Sequence, residues 1–329
     1  MRVCWNWQTG TFEGRVSKRR MGSSPITRTK TWRYFMRLIY KIKENENYIN
    51  VKELLKAYFN ISDRLLLKLK KNKKILINGI SSNINSKLST NDIVEVLIDF
   101  EEDNSNIIPT KMDLDIIYED DAYIVINKPA GIPIHPSMDH FTDSLSNGVR
   151  YYFDQIKLKK KIRPVNRLDK NTSGLVIFAK NEYIQESLVK QMKSNIFYKE
   201  YIAICEGEFE KESGIINAPI ARKENSIIER CVSKSGDNAI TEYEVIKYNQ
   251  EKDYSIVKCI LKTGRTHQIR VHMSYIGHPI LGDTLYGNSS KLIDRQALHS
   301  YRIEFIHPII QRKVSYVAKL YNDMNNLII

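Results

Sequence analysis

The feature that most limits the folds open to this chain is a run of five apolar residues, Leu-Val-Ile-Phe-Ala, at positions 175–179. It directly follows a polar turn, Asp169-Lys170-Asn171-Thr172-Ser173-Gly174. A run without alternation reads as a strand covered on both faces, at the centre of a sheet. Further strands are expected at AYIVIN, KEYIAIC, AITEYEVI, YSIVKCIL and ALHSYRIEF, and helices at NEYIQESLVKQMK and THQIRVHMSYI. Strands dominate and do not alternate regularly with helices. The pattern therefore predicts an α+β fold with a mixed, largely antiparallel sheet.

With 329 residues the chain has room for two domains. A small first domain is expected over residues 36–98. In VKELLKAYF the apolar side chains fall on one helical face; Ser62 then caps a basic helix, DRLLLKLKK. ILING reads as a short strand ending in an Asn78-Gly79 turn, and DIVEV as the closing strand. Residues 99–112 are acidic and polar with Pro109, and read as a linker to a second domain over residues 113–329. Residues 1–35 carry eight basic side chains against Glu13, so seven of the thirteen net positive charges lie there. This stretch lacks periodicity and an apolar signal core. It reads as a basic tail, with three readings open: a disordered segment, an RNA-grasping arm, or, as the favoured one, a stretch outside the native product with Met36 as the start.

Lys+Arg 51 against Asp+Glu 38 make a polyanionic partner the natural expectation. No apolar run approaches the ~20 residues of a membrane helix. The cysteines at 4, 205, 231 and 259 form no CxxC pair, which points to a reducing, cytoplasmic setting. His267 and His272 are five apart, about 140° around a helix, so no metal ligation is expected from them. By itself, an Asp before Lys-Asn-Thr-Ser-Gly is most often a turn former.

The wider pattern says more. RLDKNTSGLVIFAK resembles the signature of the RluA/RluD-type RNA pseudouridine synthases. KEYIA, at residues 199–203, and TGRTHQIRVHMSYIGHPILGDTLYG, at residues 263–287, resemble two further blocks of that family. NKPAGIPIHP is similar to its early loop and LHSYRIEFIHP to its late strand. The order of elements in the first domain resembles the small RNA-binding module named after ribosomal protein S-four. One departure stands out: Asn166 occupies the place of the family's common His before Arg-Leu-Asp.

The resemblance implies isomerisation of uridine to pseudouridine in RNA, large-subunit ribosomal RNA first and transfer RNA second. It implies Asp169 as nucleophile, Arg270 as the cation keeping Asp169 ionised in a dry pocket, and Tyr201 as the group that stacks on the freed uracil and takes its carbon-5 proton. Arg270 is expected in the first turn of a short helix capped by Thr266 and ended by Gly277. Arg167 would fill the space left by a flipped uridine. Asn166, Lys128, Arg265 and Ile269 complete the expected RNA-contacting set, with Arg64 and Lys68 on the basic helix. No cofactor is implied, because the isomerisation moves no net electrons, and a monomer is expected. A non-catalytic RNA binder would not need the whole Asp169, Tyr201 and Arg270 set. A nuclease would need carboxylate clusters or a phosphate loop that the sequence does not offer.

Overall fold

The computed structural model describes residues 36–328; the basic tail at 1–35 lies outside them. A small four-stranded sheet comes first: β1 (Arg37–Lys41), β2 (Ile75–Ile77), β3 (Ile80–Ser81) and β4 (Ile93–Leu97), in the order β1-β4-β2-β3. Helices α1 (Val51–Ala57) and α2 (Asp63–Lys71) cover it. Ser62 accepts from the backbone N–H of Leu65 and starts α2. Asn78 and Gly79 both take positive φ, the tight hairpin turn that their sequence favours.

The large sheet has ten strands. They are β5 (Ile116–Glu119), β6 (Tyr123–Lys128), β7 (Arg163–Pro164), β8 (Ser173–Ala179), β9 (Tyr198–Glu206), β10 (Ser213–Asn217), β13 (Ile240–Asn249), β14 (Tyr254–Leu261), β15 (Leu298–Ile306) and β16 (Lys313–Val317). Between β10 and β13, a separate two-stranded arm is formed by β11 (Ile220–Arg222) and β12 (Arg230–Val232). The main path runs β10-β13-β14-β9-β15-β8-β6-β5, with β16 beside β15 and β7 beside β8. Helices α3 (Leu145–Gln155), α4 (Glu182–Lys193), α5 (Gln268–Tyr275) and α6 (Asn322–Ile328) pack around it. The fold is α+β, and its sheet is mixed: β15 and β8 run parallel, and the other paired strands are antiparallel.

Strand β8 is buried along its whole length. Its residues alternate between two layers, as the pleat requires. Leu175, Ile177 and Ala179 join Ile184 and Leu188 of α4 and the small domain in one cluster. Val176 and Phe178 join Leu145, Val149 and Phe153 of α3 in another. Residues 99–112 contain no helix or strand, yet they are pinned: Asn104 is buried and accepts from the N–H of Ile162, and Glu102 binds Arg163 through two bonds of 2.6 and 2.7 Å.

The parallel seam depends on a glycine. Gly174 has φ +111, and a Cβ there would lie 2.3 Å from the carbonyl oxygen of Ser300 on β15. Gly174→Ala therefore meets both a backbone conformation closed to L side chains and a collision with immobile backbone. It should cost at least about 2 kcal/mol of stability. Chemical denaturation checks this; a loss under 0.5 kcal/mol, roughly the scale of a neutral surface change, would contradict it.

Candidate active site

Asp169 sits in the loop that carries the chain from β7 into β8. Its own carbonyl accepts from the N–H of Thr172, which closes the turn. The carbonyls that follow are gripped by cations from other elements. Lys128, at the end of β6, donates to the carbonyls of Lys170, Pro129 and Ile132 at 2.8–2.9 Å. Arg295 reaches the carbonyl of Asn171 at 3.2 Å. Ser173 shares a 2.9 Å hydrogen bond with Nδ1 of His299. The loop is thus fixed at consecutive residues.

Arg270 is the third residue of α5, and its guanidinium meets Asp169: Nη1 donates to Oδ2 at 3.0 Å. Its other edge is held by Asp283, with Nε to Oδ2 and Nη2 to Oδ1, both at 2.7 Å. The ring of Tyr286 lies 5.0 Å from the guanidinium carbon. Burial pulls the Arg270 pKa down, but Asp283 and then Asp169 outweigh it and hold it above its ordinary value. A planar fork bound on one edge by a buried carboxylate has a fixed direction, and its remaining N–H points at Asp169.

The dry pocket expected around Asp169 lies one step behind it. The side chain of Asp169 keeps 27% exposure, whereas Asp283 keeps 1%. Asp283 was not singled out by sequence reasoning. Its only signal was its place in GDTLYG, where an Asp after Gly looks like a turn residue. Among the described residues Oδ2 of Asp169 is held by Arg270 and no donor reaches Oδ1.

Tyr201 lies on β9, opposite Ser300 of β15 and Cys259 of β14. Burial pushes its phenol up to about 12, and the Asp169 carboxylate adds to the rise. The phenol is therefore protonated at neutral pH. Arg167 is exposed and acts electrostatically on His135. Arg265 is exposed, donates to the carbonyl of Asn238 and to Asp237, and lines a surface cavity of about 420 Å³ with Arg222 and Arg230.

The structure places the other expected contact residues as follows. Lys128 is fully buried, and burial lowers it to about 7; it supports the Asp169 loop rather than lining a groove. Asn166 gives its amide to β8, donating to the carbonyl of Leu175 and accepting from the N–H of Ile177. A side chain tied to backbone on both atoms is structural. Ile269 is 3% exposed within the apolar cluster of β9 and β14. Lys68 is held by Glu102 and Glu182 and sits 4.2 Å from the Phe100 ring, so its charge is already matched. Arg64 remains largely exposed, 3.6 Å from Glu182. Thr266 does not cap α5: His267 holds that position with φ +57 and makes no side-chain cap bond.

Comparison with known proteins identifies the family of the chain. The profile of the family described as RNA pseudouridylate synthase matches residues 122–275. That of the RluD ribosomal pseudouridine synthase N-terminal domain matches residues 38–94. The chain is 41% identical over 233 residues to the uncharacterized RNA pseudouridine synthase YhcT of Bacillus subtilis, covering 70% of this chain and 77% of that one. It is 40% identical over 257 residues to ribosomal large subunit pseudouridine synthase D of Borreliella burgdorferi, covering 71% and 78%. The structure of human RNA pseudouridylate synthase domain containing 1 aligns with TM-score 0.53 and 26% identity, over 63% of this chain and 84% of that one. These matches define an enzyme that isomerises uridine in RNA. The chain belongs to the RluA/RluD-type RNA pseudouridine synthases.

Two outcomes follow from the site. Asp283→Asn leaves Arg270 buried with half its clamp gone, which should cost about 3–5 kcal/mol of stability or a comparable loss of catalysis. Thermal unfolding and single-turnover rates measure the two; a variant unchanged in both would contradict the clamp. Burial also lowers His299 from 6.5 to about 4. The unfolded chain then binds the extra proton between those values, so stability rises with pH across that window. Acidification through it should remove about 3 kcal/mol on this account. Denaturant midpoints from pH 7 to 4 report the slope, and His299→Gln should flatten it; an unchanged slope would reject the assignment.

Proposed function

We propose that this chain converts uridine to pseudouridine in large-subunit ribosomal RNA, with Asp169 as nucleophile and without cofactor. The observation that carries the reading is the 3.0 Å contact between Arg270 Nη1 and Asp169 Oδ2, which leaves Oδ1 without a donor among the described residues. The choice of RNA rests on the relatives named as large-subunit synthases.

In this reading the target uridine is flipped out of its stack, at a cost of a few kcal/mol, with Arg167 occupying the vacancy. Oδ1 bonds to carbon 1′ of the ribose as the bond to N1 breaks, and the electron pair leaves with the uracil. The detached base turns while stacked against Tyr201, a contact worth about 1–3 kcal/mol. Carbon 5 then attacks carbon 1′ and expels the carboxylate. The proton count closes through the phenol. Tyr201 gives its proton to N1 and takes the carbon-5 proton in exchange, which suits a group that starts protonated. Atoms and electrons balance, so no redox partner is required. Arg270 holds Oδ2 and keeps the carboxylate charged. The exposed Arg64, with Lys70 and Lys71 beside it on α2, supplies phosphate contacts. The enzyme acts as a monomer in the cytoplasm.

RNA carrying tritium at uridine carbon 5 tests the reading. Wild-type protein should release label from unmodified large-subunit RNA while leaving strands intact. Asp169→Asn should bind the RNA within about threefold and release none, and Tyr201→Phe should do the same. No release by the wild type from ribosomal RNA would sink the substrate assignment, and release only from transfer RNA would redirect it. Activity retained by Asp169→Asn would sink the nucleophile.

A further inference from the structure

Beside Asp169 stands a second donor that the family reading does not use. The Nε2 of His267 lies 3.9 Å from Oδ2 of Asp169, the same oxygen that Arg270 holds. Its other ring nitrogen, Nδ1, is 2.8 Å from the hydroxyl of Tyr286. That hydroxyl already accepts from the backbone N–H of Arg230 at 2.8 Å. A phenol has one proton to give. Arg230 already fills one acceptor position on the Tyr286 oxygen, which favours sending the hydroxyl proton to Nδ1 of His267. Nδ1 is then an acceptor, and the neutral imidazole carries its proton on Nε2, facing Asp169.

The backbone supports deliberate placement. His267 has φ +57, a left-handed conformation uncommon for residues other than Gly, in which His is one of the better tolerated side chains. Its side chain is 13% exposed and edge-on to Tyr286, with centroids 5.6 Å apart. Burial, with Arg270 and Arg230 adding to it, lowers the imidazole pKa against the pull of Asp169, which agrees with a neutral ring.

We infer that His267 is a positioning residue whose Nε2–H, its tautomer set by Tyr286, is the second donor to Oδ2 of Asp169 and so commits Oδ1 to attack. At 3.9 Å the bond is not yet made. It closes when the Asp169 side chain moves toward the ring as substrate binds. With both Arg270 and His267 on Oδ2, the carboxylate cannot rotate to exchange its oxygens, and the free one stays aimed at the sugar. The inference rests on the nucleophile assigned above, but the tautomer can be read without any turnover.

The test combines two measurements on the full chain. Long-range proton–nitrogen NMR of protein labelled with 15N-histidine should show the His267 proton on Nε2 in the wild type and a mixture of tautomers in Tyr286→Phe, which keeps the ring against Arg270. Single-turnover rates at saturating RNA should fall about 10- to 100-fold in His267→Phe with RNA affinity unchanged. His267→Gln, which keeps a donor amide, should recover most of the rate. Combining His267→Phe with Tyr286→Phe should be no slower than His267→Phe alone, because both remove one interaction. A wild-type proton on Nδ1 overturns the inference whether or not the variants fold. So does a folded His267→Phe at wild-type rate, or a rate lost equally in Phe and Gln. If the wild type shows the Nε2 tautomer but isomerises no uridine, the reading of function fails and the tautomer assignment stands.

Discussion

Everything in the site turns on how one guanidinium is divided. Arg270 presents Nε and Nη2 to Asp283 and Nη1 to Asp169. The first pair is sealed from water and rigid; the second contact reaches a carboxylate that solvent and substrate can touch. A lone arginine beside a nucleophile would be free to swing to solvent, and its charge would be screened. Anchored by Asp283, it behaves as a fixed dipole end of known direction, which is what preorganised electrostatics requires. The buried ion pair is costly to create, but its geometry satisfies both carboxylate oxygens of Asp283 and two edges of the fork.

The sheet brings the parts of this arrangement together from distant stretches of chain. Tyr201 comes from β9, the Asp169 loop from the entry to β8, and β15 lies between those strands. The parallel join of β15 to β8 is short, pairing His299 with Ser173 and Ser300 with Gly174. At that seam Tyr201 pairs with Ser300, which also pairs with Gly174, so β9 and the strand that follows the Asp169 loop meet at one residue of β15. Gly174 is required there because the strands approach more closely than a Cβ permits. The cations behind the loop, Lys128 and Arg295, are bound to carbonyls and to Asp323 rather than presented to solvent. They act on shape.

Much of this was legible in the sequence, for identifiable reasons. Residues 175–179 declared a two-sided strand because nothing polar interrupts them. Ser62 and the Asn78-Gly79 pair specify their cap and turn locally, so no tertiary information was needed. Helix α3 escaped because Gly148 interrupts its pattern. The glycine is there for packing, since a Cβ would press to 3.0 Å on Met112. Asp283 escaped because its role is set by a helix across the fold, and no local spacing encodes that. The partners of Lys128 and Lys68 were hidden from the sequence for a shared reason. Sequence counts charges but does not say which are matched, and the groups that match them come from other loops: the carbonyls of Ile132 and Lys170 for one, Glu102 and Glu182 for the other.

The fate of Lys68 bears on how the two parts of the molecule cooperate. Its ammonium sits between Glu102, in the connecting segment, and Glu182, in the first turn of α4. Glu102 in turn clamps Arg163, and Ser62 donates to Glu186 of α4. Burial would raise the Glu102 carboxyl, yet Arg163 and Lys68 hold it below its ordinary value. Apolar residues of α1 and α2 share one cluster with Leu175 and Ile177 of the central strand. The connection is therefore bolted on both sides. Held this way, the small domain carries its exposed basic residues at a set distance and angle from Asp169. Under the proposed function, choice of uridine then follows from geometry between the two parts, and loosening that junction should blur which uridine is modified before it slows the chemistry.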